Sequence, residues 1–263
     1  MPELSELPGL ATRLRRLHEG PLFVLPNAWD AASAKVFGDA GFPAVASASA
    51  AVATARGYPD NDSMRVHDAF DAVATIADAV DVPVSADLEA GYGLEPAELV
   101  ERLLESGAVG LNIEDTDHHG NGALLDAEER AEYIGEIKWI GRDSDVDLVV
   151  NARVDVFLRE VGSPESRLEE AVRRGRLYRN AGADCIYPIW LQADPTIQVL
   201  VAEIGGPVNI LVRRGTPPLA RLAELDVARA TFGPGLQAVS MAALARFANE
   251  RLQPDSDEPV FGE

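Results

Sequence analysis

Short β-branched apolar runs alternate along this chain with longer stretches of helical period. The runs Leu22–Leu25, Ala44–Ser47, Val82–Ala86, Gly110–Glu114, Leu148–Ala152, Cys185–Pro188, Val208–Val212 and Ala228–Phe232 have strand length and composition. Helical patterns such as Val66–Ala79, Pro96–Ser106, Ser166–Asn180 and Ala193–Ile204 separate them. Ala40-Gly41, Ser106-Gly107 and Ala181-Gly182 read as helix C-caps ahead of the next strand. Near-continuous apolar strands are what a parallel sheet covered on both faces requires. Eight such units in about 240 residues predict an α/β fold, one (β/α)8 TIM barrel spanning residues 1–252. A doubly wound open sheet is the runner-up, but no Gly-x-Gly-x-x-Gly turn follows the first strand. After the last strand, Leu236, Val239, Ala243 and Phe247 form a helical stripe, and residues 253–263 read as an acidic, mobile tail.

Composition narrows the partners. The chain has 263 residues, 47% hydrophobic, with a formal net charge of -20 from 43 acids against 23 Lys and Arg. That balance excludes a basic face for nucleic acid. No apolar run is long enough for a transmembrane helix, so no membrane partner is expected. The N-terminus lacks the pattern of a signal peptide, and the single Cys185 rules out a disulfide framework. A cytoplasmic location is the default expectation. Lys35 and Lys138 are the only lysines, so nearly all positive charge sits on arginine, the residue suited to bidentate recognition of carboxylate or phosphate.

In a (β/α)8 barrel the chemistry sits at the C-terminal ends of the strands, which shortens the list of candidate acids. Asp87 and Glu89 close the third strand, two apart and so on one side of an extended chain, and Glu114 ends the fourth. Converging carboxylates repel one another unless a cation sits among them, and all-oxygen ligation with room for waters favours Mg²⁺ or Mn²⁺. Arg153, at the end of the fifth strand, has the chemistry of a clamp for a substrate carboxylate; its structural alternative is an ion pair with Asp155 or Glu114. The small, polar Ser47-Ala48-Ser49-Ala50 segment lets main-chain N–H groups approach an anion. His118 and His119, on the loop after the fourth strand, are candidate proton donors on a short lid; His18 and His67 read as structural.

Several of these segments occur together in a familiar order. Pro26-Asn27-Ala28-Trp29-Asp30-Ala31-Ala32-Ser33-Ala34 is followed by Gly57-Tyr58-Pro59-Asp60 and Asp87-Leu88-Glu89-Ala90-Gly91-Tyr92-Gly93. Asn112-Ile113-Glu114-Asp115 and Asn151-Ala152-Arg153-Val154-Asp155 complete the series. The chain thereby resembles the isocitrate lyase / phosphoenolpyruvate mutase family, over roughly residues 15 to 250. The resemblance implies a Mg²⁺-dependent enzyme that makes or breaks C–C or P–C bonds beside a 2-oxo acid, through a pyruvate-type enolate. It implies a metal held by Asp87, Glu89 and Glu114, partly through water. It further implies a substrate carboxylate bound by Arg153 and the main chain of Ser47 and Ala48, with Trp29 and Asp60 close by. A homodimer or homotetramer with the last helix exchanged between subunits is also implied.

The departures are specific. The loop 115–124 has no cysteine where the family's lyases carry their general acid, and no Lys or Arg of the mutase type. The sixth strand ends in Tyr187-Pro188-Ile189-Trp190 rather than a histidine, and the usual Asp-x-Asp is Asp-x-Glu. The expected function is a lyase or decarboxylase acting on a small 2-oxo or 2-hydroxy acid. P–C bond chemistry on a phosphonopyruvate-like acid and a non-catalytic oxo-acid-binding barrel are the alternatives.

Overall fold

The computed structural model describes residues 2–252 and Val260; the expected tail otherwise lies outside the described residues. The strands are β1 (Phe23–Val24), β2 (Asn27–Ala28), β3 (Val45–Ser47), β4 (Val84–Asp87), β5 (Gly110–Glu114), β6 (Val149–Val154), β7 (Cys185–Pro188), β8 (Asn209–Leu211) and β9 (Arg229–Thr231). All pair in parallel, β2 to β7 in chain order and β1–β9–β8 as a second set. A parallel bridge between Ile186 and Val208 joins β7 to the segment entering β8, which connects the two sets at one seam.

The other seam lies just after the first predicted strand, Leu22–Leu25, where the stave runs on past Pro26 to Asn27–Ala28. Pro26 has no N–H to give a ladder, so that stave breaks into β1, which pairs with β9, and β2, which pairs with β3. The ladder survives the break because the Pro26 carbonyl still accepts the Ala46 N–H at 2.9 Å. The result is a closed ring of eight staves, as the alternation of runs predicts. No described helix is long and apolar enough to cross a membrane.

Helices α1 (Leu7–Arg16), α2 (Ala31–Asp39), α3 (Ser49–Arg56), α4 (Val66–Asp78), α5 (Pro96–Glu105), α6 (Ala127–Asp143), α7 (Pro164–Asn180), α8 (Asp194–Ile204), α9 (Leu219–Glu224) and α10 (Gly235–Arg251) accompany the ring. Gly41, Gly107 and Gly182, the predicted caps, all adopt positive φ, the conformation that ends a helix cheaply only at glycine. Helix α1 plugs the floor of the barrel: Leu7, Ala11 and Leu14 are buried. Gly110 leaves room for that plug, since a Cβ there would fall 2.6 Å from Leu14 Cδ2. The interior carries Asn112, Asn151, Asn209 and Arg229, all buried, beneath the mouth. Cys185 is buried too and its thiol is pushed up to about 12, first by desolvation, which suits packing rather than reactivity.

Candidate active site

At the C-terminal ends of the strands lies a cavity of about 660 Å³. Asp60, Asp87, Glu89, Glu114, His118, Arg153 and Ala48 line it, so seven of the residues singled out in the sequence converge on one space. Ser47 and Trp29 are not among the lining residues. Ser47 is buried, and its Oγ accepts the Asp87 N–H at 2.8 Å, so its side chain holds β4 to β3 rather than facing a ligand. Trp29 packs, half-buried, against the hydrophobic core beside the start of α2.

The acidic wall is built by strand ends. Asp87 closes β4, and its Oδ2 accepts both the Ser49 N–H (2.8 Å) and the Ser49 hydroxyl (2.9 Å). Ser49 is therefore the serine of the small polar segment that reaches this carboxylate. Glu89 shares the cavity with Asp87, but not because the strand continues: the chain has left β4 and Glu89 stands at φ 50°, the left-handed region. Such a conformation in a non-glycine residue needs support, and Glu89 has it from the Tyr92 hydroxyl at 3.1 Å and from the Asp62 N–H. Tyr92 is itself left-handed, between Gly91 and Gly93. Asp62 and Tyr92 escape sequence reasoning because neither lies on a strand end. The glycines around Tyr92 are the clue to a tight turn there.

Glu89 is buried, and its carboxyl is raised to about 8, by desolvation first and then by Asp60, Glu114 and Asp62. Glu114 is fully buried and likewise raised, by desolvation and by Asp155, against the pull of Arg153 and His118. Its two oxygens meet His118 Nε2 and Arg153 Nη1. The two histidines of the loop thus part company. His118 turns inward with a side chain 5% exposed, while His119 stays 64% exposed and reaches Asp62 Oδ2 at 3.1 Å. Burial opposes protonation of His118, but the Glu114 carboxylate outweighs it and the net shift is upward.

Arg153 corrects an expectation. Its planar fork already grips Asp155, Nε to Oδ1 at 2.7 Å and Nη2 to Oδ2 at 2.9 Å, while Nη1 faces Glu114. The bidentate face is spent on the protein, and only its remaining N–H groups are left for a ligand. Asp155 is anchored in turn by the Thr116 hydroxyl at 2.6 Å, and its N–H donates to Asp115 Oδ1 at 2.8 Å. Asp115 follows Glu114 and so points to the other face of β5, where Tyr178 (2.8 Å) and Arg174 (3.1 Å) satisfy it.

Among the described residues no three His, Cys, Asp or Glu side chains form a ready-made metal cage. The donors nevertheless fit a hard, water-rich cation. They are all carboxylate oxygens around one cavity, two of them are protonated more readily than usual, chiefly because they are buried and then because other acids lie close, and Mg²⁺ binds through one or two carboxylates while keeping several waters.

The profile of the phosphoenolpyruvate phosphomutase family matches residues 14–252. The chain belongs to the isocitrate lyase/phosphoenolpyruvate mutase superfamily. Within that superfamily it is 35% identical over 242 residues to an uncharacterized protein of Mycobacterium tuberculosis, covering 89% of this chain and 88% of that one. It is 29% identical over 253 residues to the 2-methylisocitrate lyase of Halalkalibacterium halodurans, covering 92% and 80%. An oxaloacetate acetylhydrolase solved with its product oxalate superposes with a TM-score of 0.82 at 26% identity, covering 95% of this chain and 91% of that one. The superfamily thus contains lyases, a hydrolase and a mutase on this barrel.

Proposed function

We propose that this chain is a divalent-metal-dependent enzyme that cleaves a carbon–carbon bond in a small 2-oxo or 2-hydroxy carboxylic acid, through an enolate. The observation that carries the reading is the cavity at the strand ends, lined together by Asp60, Asp87, Glu89, Glu114 and Arg153. Asp87, Glu89 and Glu114 would hold Mg²⁺ or Mn²⁺, in part through water. When bound, that ion supplies Lewis acidity, drawing charge from a carbonyl beside the breaking bond. The protein's own groups bind and orient. The free N–H groups of Arg153 and the main chain at Ala48 take a substrate carboxylate. His118 shares a proton with Glu114 at Nε2 and can deliver it to the carbon that loses its substituent. This route needs no cysteine, in keeping with a loop 115–124 that has none and a Cys185 buried in the barrel.

The test is turnover of oxaloacetate, a methylisocitrate-type tricarboxylate and phosphonopyruvate, each with Mg²⁺ and with a chelator. Cleavage of one of the first two, lost on chelation, is the expected result. Turnover of phosphonopyruvate alone supports P–C chemistry instead. Binding across the panel without turnover makes the protein an oxo-acid-binding barrel.

We also propose a homodimer or homotetramer assembled through α10. Of that helix only Gln237 is buried, donating to the Ala51 carbonyl at 2.8 Å, while Val239 is 69% and Leu244 58% exposed. Of the predicted stripe, Val239 and Ala243 are exposed while Leu236 and Phe247 are partly buried, so apolar surface remains on this helix for a neighbour to cover. Light scattering on the full chain and on one ending at Gly235 should give an oligomer and a smaller species; a full-length monomer overturns the assembly.

A further inference from the structure

Arg213, just beyond β8, lines the same cavity without a role in the scheme above. Its guanidinium lies over the Trp190 ring, 3.8 Å from the centroid. Its Nη1 is shielded from solvent and has no hydrogen-bond partner. Arg153 and Arg159, which also line the cavity, are engaged by Asp155 and by Thr116. Among the described residues no carboxylate pairs with Arg213.

The loop is built to hold this residue in place. The Arg213 N–H donates to Thr216 Oγ1 at 3.1 Å, and that hydroxyl donates to the Leu211 carbonyl at 3.1 Å. Gly215 turns the chain at φ 95°, and Gln192 Nε2 donates to the Arg214 carbonyl at 2.8 Å. Trp190, two residues past the end of β7, adopts φ 70°, a costly conformation for a bulky residue. Restraint from two strand-end loops thus presents a cation on an aromatic face, with one donor left unmet.

A guanidinium nitrogen shut off from water without a hydrogen-bond partner is costly unless an anion reaches it. In the ring of eight staves, β8 stands across the mouth from β4, which carries Asp87. Ile189, Leu211 and Val212 border the cavity beside Arg213, and such an apolar setting strengthens a charge pair. We propose that Arg213, stacked on Trp190, anchors a second acidic group of the substrate, at the far side of the mouth from Asp87. The site then takes a compound with two anionic ends, a carboxylate near Arg153 and a carboxylate or phosphonate at Arg213. This inference rests on the oxo- or hydroxy-acid reading of the cavity.

The experiment is calorimetric titration of lactate, malate and 3-phosphonolactate into the full chain with saturating Mg²⁺. The three probes share one end and differ in the second. The parent should bind malate or 3-phosphonolactate at least ten-fold more tightly than lactate, and the tighter of the two names the chemistry of the distal group. Arg213→Met should erase that advantage while changing lactate affinity less than two-fold. Arg213→Gln serves as the second variant, and thermal melting verifies that each is folded. Equal loss for lactate and the two-ended acids, or no preference in the parent, overturns the subsite. A parent that binds none of the three refutes the underlying reading, and the subsite with it.

Discussion

At the floor of the barrel Lys138 is 2% exposed, yet its Nζ lies 2.9 Å from both Asp147 and Asp184. Arg15 of α1 reaches the same two acids at 3.0 Å, and the Val150 N–H donates to Asp184 at 2.8 Å. At the mouth Asp62, Glu89 and Glu114 are buried too, but there the acids Asp60, Asp87, Glu89 and Glu114 line one cavity together. Asp62 Oδ1 has no hydrogen-bond partner, and the carboxyls of Glu89 and Glu114 are raised. Charge is closed on itself at one end of the ring and left open at the other. The floor network ties α1, α6 and the strand entries together. The mouth instead leaves buried acids short of cations, the arrangement expected of a binding site.

The sharpest way to break this contrast is to neutralise one acid at the mouth. Asp87→Asn or Glu114→Gln should reduce Mg²⁺-dependent oxo-acid turnover on the order of 10³-fold, about 4 kcal/mol, with the unfolding free energy within about 1 kcal/mol of the parent. Steady-state kinetics and urea unfolding on the same samples check both halves. Retained turnover would show the metal site to be misassigned.

Removing the cation at the floor should do the reverse. Lys138→Ala leaves Asp184 and Asp147 short of a partner and should lower the unfolding free energy by about 3 kcal/mol. Turnover per folded molecule should stay within two-fold. A stability change below about 1 kcal/mol would mean that Arg15 alone suffices there.

His18, also at the floor, adds a pH test. Its Nδ1 bonds the Leu14 carbonyl at 3.0 Å, its Nε2 is buried without a partner, and Arg229 and Asp184 are the charges acting on it. Burial first, then Arg229, lowers it from 6.5 to about 4. Between those values the unfolded chain binds the proton and the folded one does not, so this group's contribution falls as pH drops through 6.5 toward 4. The full loss is about 3 kcal/mol. Unfolding curves of the parent and His18→Phe at pH 7 and pH 4.5 should converge at the lower pH if His18→Phe costs stability only through packing. Parallel pH profiles would show that His18 titrates normally.

What the sequence determined by itself is the barrel and the wall of acids. Strand-length apolar runs between helical periods can bury both faces only as a covered parallel sheet, and the strand ends then carry Asp87, Glu114 and Arg153 to one side. Tertiary structure decided the partners. The first stave ran past Leu25, where the apolar run ends, to Asn27 and Ala28, with Pro26 between its two halves. Glu89 reached the cavity through a left-handed turn rather than strand alternation, and Ser49 donated to Asp87 from the segment after β3. Asp155 occupied the fork of Arg153, His118 turned in while its neighbour stayed out, and Arg213 met Trp190 from another loop. Periodicity reports which way a side chain leaves a regular element. These contacts join residues far apart in sequence or in irregular loops, where no period exists, so only the closed ring brings them together.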